Sequence, residues 1–245
     1  MDRQHFYDTM NGEGTKDYEL YLNTKALLSC QKDFKDFCNH DELQFQIVHQ
    51  NEELWMKLIG YTLLDVDDYL QQENTNRVLT MMHRVHTAER LMIHQVDLLE
   101  TMSPKEYQEI RLQLGNGSGQ ESPGFKTILK MPGPLWESYK ANYLDKHGLT
   151  IEKIYNSEYT HSDAYVVAET LLEFDELFQL FRYRHIQLIH RTIGMGAKSL
   201  KGRSVEMLNE GQRVRFFPEL WEIHGEMTDA WGGKYGVVRD SIGGH

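Results

Sequence analysis

Two histidines stand where a long helix would ordinarily bury aliphatic side chains. His49 lies in DELQFQIVHQNEELWMKLIG, from Asp41 to Gly60, on an apolar face between Phe45 and Trp55. His185 lies in FQLFRYRHIQLIHRTIG, with Phe178, Phe181 and Ile189 at helical spacing from it. The plainer reading of each is a core histidine bonded to a carbonyl. Two of them on different long helices raise another reading. A planar cofactor held between helices needs an axial imidazole on one side, and a polar group on the other side can serve a bound gas or substrate.

Other chemistry-bearing residues recur at helical intervals. Tyr107 and Arg111 are four apart and so share a helix face. Arginine can grip a carboxylate with two parallel hydrogen bonds and tyrosine can add a third; the plainer reading is a solvated surface arginine. Glu158 and His161 have the ExxH spacing of di-iron bundles. Such sites need two of these motifs plus two further glutamates, and only one is present. His83 and His86 sit one turn apart with no acidic partner at useful spacing, and are expected on a solvated face. There is no HExxH, GxSxG, P-loop or GxGxxG, and Cys30 and Cys38 show no nucleophile context.

The elements that carry these residues are helices. Apolar residues recur every three or four positions from about Glu42 to Leu70. A second helix is expected from about Asn76 to Glu100, with Val78, Leu79, Met82, Val85, Leu91, Met92, Val96 and Leu99 inward. Ser103-Pro104-Lys105-Glu106 is a capping box with proline in the first turn, so a third helix starts there and presents Tyr107 and Arg111. The glycine- and serine-rich stretch from Gly115 to Gly124 reads as a loop. Short helices are expected over Pro134–His147 and Ile151–Tyr155, another long one from Ser162 to about Ile193, and a last one from near Pro218. Met195 to Arg215 reads as irregular and basic. With almost no period-two alternation and no internal repeat, the class is all-α: a bundle built on at least three long helices, and one domain over residues 1–245.

Bulk composition narrows the function. The 245 residues carry a net charge of −11, which argues against a general nucleic-acid binder or a surface drawn to anionic lipid. Two cysteines cannot build a disulfide framework. No apolar run reaches a membrane span and the start has no signal-peptide core, so a cytoplasmic location is expected. Twelve histidines and 11% aromatics suit a coordination or aromatic-recognition site.

Four blocks in order resemble the tryptophan 2,3-dioxygenase superfamily, haem proteins that oxygenate the indole ring. DYELYLNTKALLS (Asp17 to Ser29) resembles its N-terminal tyrosine motif, and DELQFQIVHQNEELWMKL (Asp41 to Leu58) its distal helix. LETMSPKEYQEIRLQLG (Leu99 to Gly115) resembles its carboxylate-binding helix. FQLFRYRHIQLIHRTIG (Phe178 to Gly194), followed by FFPELWEIHGEM, resembles its proximal helix and C-terminal block.

The resemblance implies haem b as cofactor, with His185 as axial ligand of the iron and His49 as the distal histidine facing the indole N–H. It implies that Phe45 packs on the substrate ring, that Tyr107 and Arg111 surround the substrate carboxylate, and that Ser199 contacts the amino group. Ser122 falls near a family serine of the pocket. Tyr18, Tyr21 and Leu22 match residues lent to a neighbouring subunit, which implies a homotetramer with residues 1–40 exchanged. Residues 228–245 read as a mobile tail. The activity implied is oxidation of the indole C2–C3 bond of L-tryptophan or a derivative to an N-formylkynurenine-type product. The alternative is mono-oxygenation or hydroxylation of a tryptophan or tyrosine derivative.

Several stretches depart from the family pattern. Its glycine-rich TGGSSG loop is replaced by Ser199-Leu200-Lys201-Gly202-Arg203-Ser204, and the Gly-Gly of the tyrosine motif by Glu19-Leu20. The loop after Arg111 is longer, the serine site reads Ser122-Pro123-Gly124-Phe125, and the segment between Phe125 and Ser162 is reduced. The changes fall on the pocket and its lid and leave the candidate iron ligand intact.

Overall fold

The computed structural model describes residues 1–115, 117–156, 159–196, 198 and 214–232. The expected all-α bundle is what forms; no extended strand occurs among the described residues. The helices are α1 (Arg3–Met10), α2 (Asp17–Leu22), α3 (Thr24–Leu27), α4 (Glu42–Gln71), α5 (Thr75–Leu99), α6 (Pro104–Gln113), α7 (Pro123–Ile128), α8 (Pro132–Tyr139), α9 (Ile151–Tyr155), α10 (Asp163–Ile193) and α11 (Pro218–Gly232). None of them is long and apolar enough to cross a membrane.

Three long helices make the frame. Buried residues follow the helical period on each: Val48, Met56, Ile59, Leu63, Val66 and Leu70 on α4; Val78, Met82, Val85, Met92, Val96 and Leu99 on α5; Val167, Leu171, Phe174, Phe178 and Phe181 on α10. Local signals set the ends. Asn74 accepts the Arg77 amide at the start of α5, Ser162 accepts that of Tyr165 at the start of α10, and α10 stops at Gly194, whose φ of 88° suits glycine. The Ser103 capping box opens α6 as its sequence predicts.

The seam between α4 and α10 is a crevice occupied by side chains. α4 and α10 each pack along α5, with no comparable packing between α4 and α10. Short helices flank the gap: α7 and α8 lie on α4, and α6 lies on α10.

Several sequence expectations are corrected. Residues 228–232, read as the start of a mobile tail, continue α11, and residues 233–245 lie outside the described residues. Leu91 is 43% exposed, because the inward face of α5 runs through Ala88, Met92 and Val96 and turns Leu91 away. His86 is buried: its Nε2 donates to the Thr170 carbonyl at 3.1 Å and its Nδ1 lies 3.2 Å from Glu173. Only His83 of that pair is exposed. The segment between α7 and α9 is less regular than a plain helix, since α8 runs into a π-helical turn (Lys140–Leu144) and a 3-10 turn (Asp145–His147).

Candidate active site

His49 on α4 and His185 on α10 face each other across the crevice. Their ring centres are 6.4 Å apart and their planes stand at 89°. Nδ1 of His49 donates to the Phe45 carbonyl one turn earlier, at 2.7 Å. That bond fixes the ring and leaves Nε2 with the unshared pair. Burial keeps His49 below its ordinary pKa, opposed by the Phe45 carbonyl and the Glu53 charge.

His185 retains some accessible area, yet its Nδ1 is sealed from solvent with no hydrogen-bond partner. Burial, and then the neighbouring His49, push its pKa down to about 4, so the ring is neutral at physiological pH. A neutral imidazole with uncommitted nitrogen is a good metal donor and a poor core residue. Gly119 approaches its other nitrogen: a Cβ there would lie 3.9 Å from His185 Nε2.

Aromatic rings wall the crevice. Phe45 lies against His49 with centroids 4.1 Å apart and faces Tyr107 at 6.3 Å. Phe181 lies 6.1 Å from His185, and Phe125 of α7 stacks on Phe178 of α10 at 5.6 Å. Burial raises the Tyr107 phenol above its usual range, so it remains a neutral donor. Arg111, one turn along α6 and half-buried, donates from Nη2 to the Lys198 carbonyl at 2.7 Å. The one fixed cation of the group therefore reaches the chain immediately before Ser199, which itself lies outside the described residues.

Not every expected site residue comes here. Tyr18 and Tyr21 are 72% and 89% exposed and Leu22 is also exposed, so none packs into this chain's own crevice. Ser122 caps α7, its Oγ accepting the Phe125 amide at 2.9 Å. His161 stacks on Tyr165 at 4.3 Å, away from both histidines, and Glu158 lies outside the described residues.

Sequence reasoning passed over three acidic residues. Glu53, four after His49, accepts the Gly124 amide at 3.0 Å and so ties the start of α7 to the distal helix. Glu52 and Glu89 are buried carboxyls with unpaired oxygens. Burial raises the pKa of both, that of Glu52 to about 8. Their signal was present in the sequence as acids on otherwise apolar helix faces.

Among the described residues, no three His, Cys, Asp or Glu side chains gather as a metal-ion site. Two histidines offer an iron two nitrogen ligands at most, and a porphyrin supplies the other four. The neutral, unpaired His185 and the apolar crevice fit that group.

Known proteins resemble this chain over most of its length. Residues 4–148 match the family described as Tryptophan 2,3-dioxygenase. The tryptophan 2,3-dioxygenase of Serratia proteamaculans is 30% identical over 86% of this chain and 92% of its own length. That of Myxococcus xanthus is 30% identical over 88% and 91%, and that of an Arthrobacter species 27% over 86% and 91%.

Proposed function

Because the chain belongs to the tryptophan 2,3-dioxygenase family, we propose that it is a haem-dependent oxygenase acting on the indole ring of L-tryptophan or a close derivative. The observation that carries this reading is the pairing of His49 and His185 across the crevice, with Tyr107 and Arg111 at its edge. His185 holds haem b through its neutral imidazole. The haem, when bound, supplies the activation of O2.

Each remaining residue binds, orients or handles a proton. Arg111 takes the substrate carboxylate in a bidentate pair, releasing the Lys198 carbonyl it now holds, and the Tyr107 hydroxyl donates a further bond. Ser199 receives the ammonium group. Phe45 stacks on the indole and, with Phe181 and Phe125, keeps water from the reacting carbons. Nε2 of His49 accepts the indole N–H, because Nδ1 is committed to the Phe45 carbonyl. Aim is the main contribution of these contacts, since a misdirected ring does not meet the oxygen. Insertion of both oxygen atoms at C2–C3 gives an N-formylkynurenine-type product.

Tyr18, Tyr21 and Leu22 complete a neighbouring subunit's pocket within a homotetramer; their exposure on this chain supports that role. The altered Ser199–Ser204 stretch favours a second reading, mono-oxygenation to a 2-oxindole or hydroxylated product, which requires an external reductant.

The test is to load the protein with haemin, reduce it, and supply L-tryptophan and 18O2. A product heavier by two labelled atoms supports ring opening, and one labelled atom supports the second reading. His185→Ala should bind haem far more weakly than wild type, and Arg111→Ala should raise KM roughly 10- to 100-fold, the value of a lost charged hydrogen-bond pair. Wild-type protein that takes up no haem overturns both readings.

A further inference from the structure

His49 and His185 stand closer together than a site with room for both oxygen and an indole allows. An iron–imidazole bond of about 2 Å puts the ring centre about 3 Å from the metal. Two imidazoles that share one iron from opposite sides therefore have centres about 6 Å apart. The observed separation is 6.4 Å. An aromatic layer between iron and His49 would add roughly another 3.5 Å, the contact distance of stacked carbon atoms.

The atom needed for a second bond is available. His49 donates from Nδ1 to the Phe45 carbonyl at 2.7 Å, so its unshared pair is on Nε2, on the far side of the ring. No described residue bonds that nitrogen. The planes of the two rings, at 89°, are compatible with trans ligation, because each ring need only contain the metal axis in its own plane. The helices carrying them do not pack closely on each other, so the gap between α4 and α10 is spanned by side chains.

Resting on the assignment of haem to His185 above, we infer that His49 is the sixth ligand of the haem iron in the substrate-free protein and leaves the iron when the amino acid enters. One iron–nitrogen bond breaks in that step, and no electron or proton changes hands. Phe45 supplies the coupling. Its ring covers one face of His49 at 4.1 Å, and its carbonyl holds the imidazole proton. A substrate ring that packs on Phe45 competes for that face and displaces the imidazole. The freed Nε2 is then the acceptor that meets the ring N–H. The arrangement keeps oxygen from the iron until substrate is present, which guards the reduced haem against unproductive oxidation.

The experiment uses the full chain loaded with haemin in the ferric state, read by absorption and electron paramagnetic resonance. The expected wild-type spectrum is low-spin, of the highly anisotropic kind given by axial imidazoles with perpendicular planes. His49→Ala should keep its haem and become high-spin; His49→Gln, closer in size, guards against a folding failure and should do the same. Adding L-tryptophan to wild type should convert low-spin to high-spin in proportion to occupancy. A high-spin wild type with haem bound overturns the inference and leaves the role of His185 standing. So does a His49 variant that stays low-spin. Persistence of the low-spin form at saturating L-tryptophan overturns the release. A His185→Ala protein that keeps its haem with the wild-type low-spin spectrum overturns the underlying assignment instead.

Discussion

At Gly124 the backbone comes so close to α4 that no side chain fits. A Cβ there would sit 2.7 Å from Met56 Cβ and 2.8 Å from the Glu53 carboxylate that its own amide bonds. Gly124→Ala should destabilise the protein by about 1–3 kcal/mol, a fall in Tm of several degrees for a chain of this size. An unchanged melting curve would remove the close approach from consideration. Glu52 gives a pH prediction at the same scale. Its folded pKa, about 8, lies above the value of 4.5 expected when exposed. Between those pH values the unfolded chain has released a proton that the folded chain keeps. Glu52 therefore makes stability fall as pH rises from about 4.5 to about 8, by a few kcal/mol at most, and then level off. Glu52→Gln should flatten that slope, so that the variant is the more stable protein at pH 8. Parallel Tm–pH curves for the two proteins would show that Glu52 is not held protonated.

Among the elements, α11 depends on one buried carboxylate. Asp175 of α10 is fully buried; its Oδ2 accepts the amides of Phe216 and Phe217 at 2.8 and 3.2 Å and the Trp221 indole N–H at 2.8 Å. Its other oxygen accepts from Gln179. These bonds anchor the aromatic pair that packs on Phe174 and Phe178. Asp175→Asn keeps the shape but replaces the charge and turns an N–H toward donors. It should cost roughly 2–4 kcal/mol, and amide hydrogen exchange over residues 218–230 should accelerate before that of α5. Equal acceleration everywhere would mean Asp175 supports the bundle as a whole. The acid was legible in the run from Leu171 to Leu180, but its partners lie some forty residues away, beyond the reach of any local pattern.

On the scale of the whole molecule, α1 to α3 bury no residue at all. Phe6, Met10, Tyr18, Leu20 and Tyr21 are exposed there, and Leu54, Leu58, Tyr61 and Leu64 are exposed along α4. An exposed apolar surface of this extent is what the proposed homotetramer would cover. Deleting residues 1–28 should therefore leave helical content and Tm of the remainder nearly unchanged while lowering the mass in solution and raising KM for the amino acid. An unaltered mass would show that this segment does not join subunits.

The sequence by itself determined the helices, because spacing along one strand of chain fixes which side chains share a face. Pro104 and the Ser103 cap, the stripes of α4 and α10, and the aromatic setting of His49 and His185 were all readable in this way. The four ordered blocks also disclosed the family, since residue types that serve one chemistry persist at fixed intervals. Tertiary structure alone decided which faces meet. The 6.4 Å between the two imidazoles, the seat of Gly124 against Glu53, the burial of His86 and Glu89, and the three donors on Asp175 each depend on chain segments distant in sequence. A one-dimensional period specifies where a side chain points on its own helix; the depth and partner it finds there come from how the helices pack.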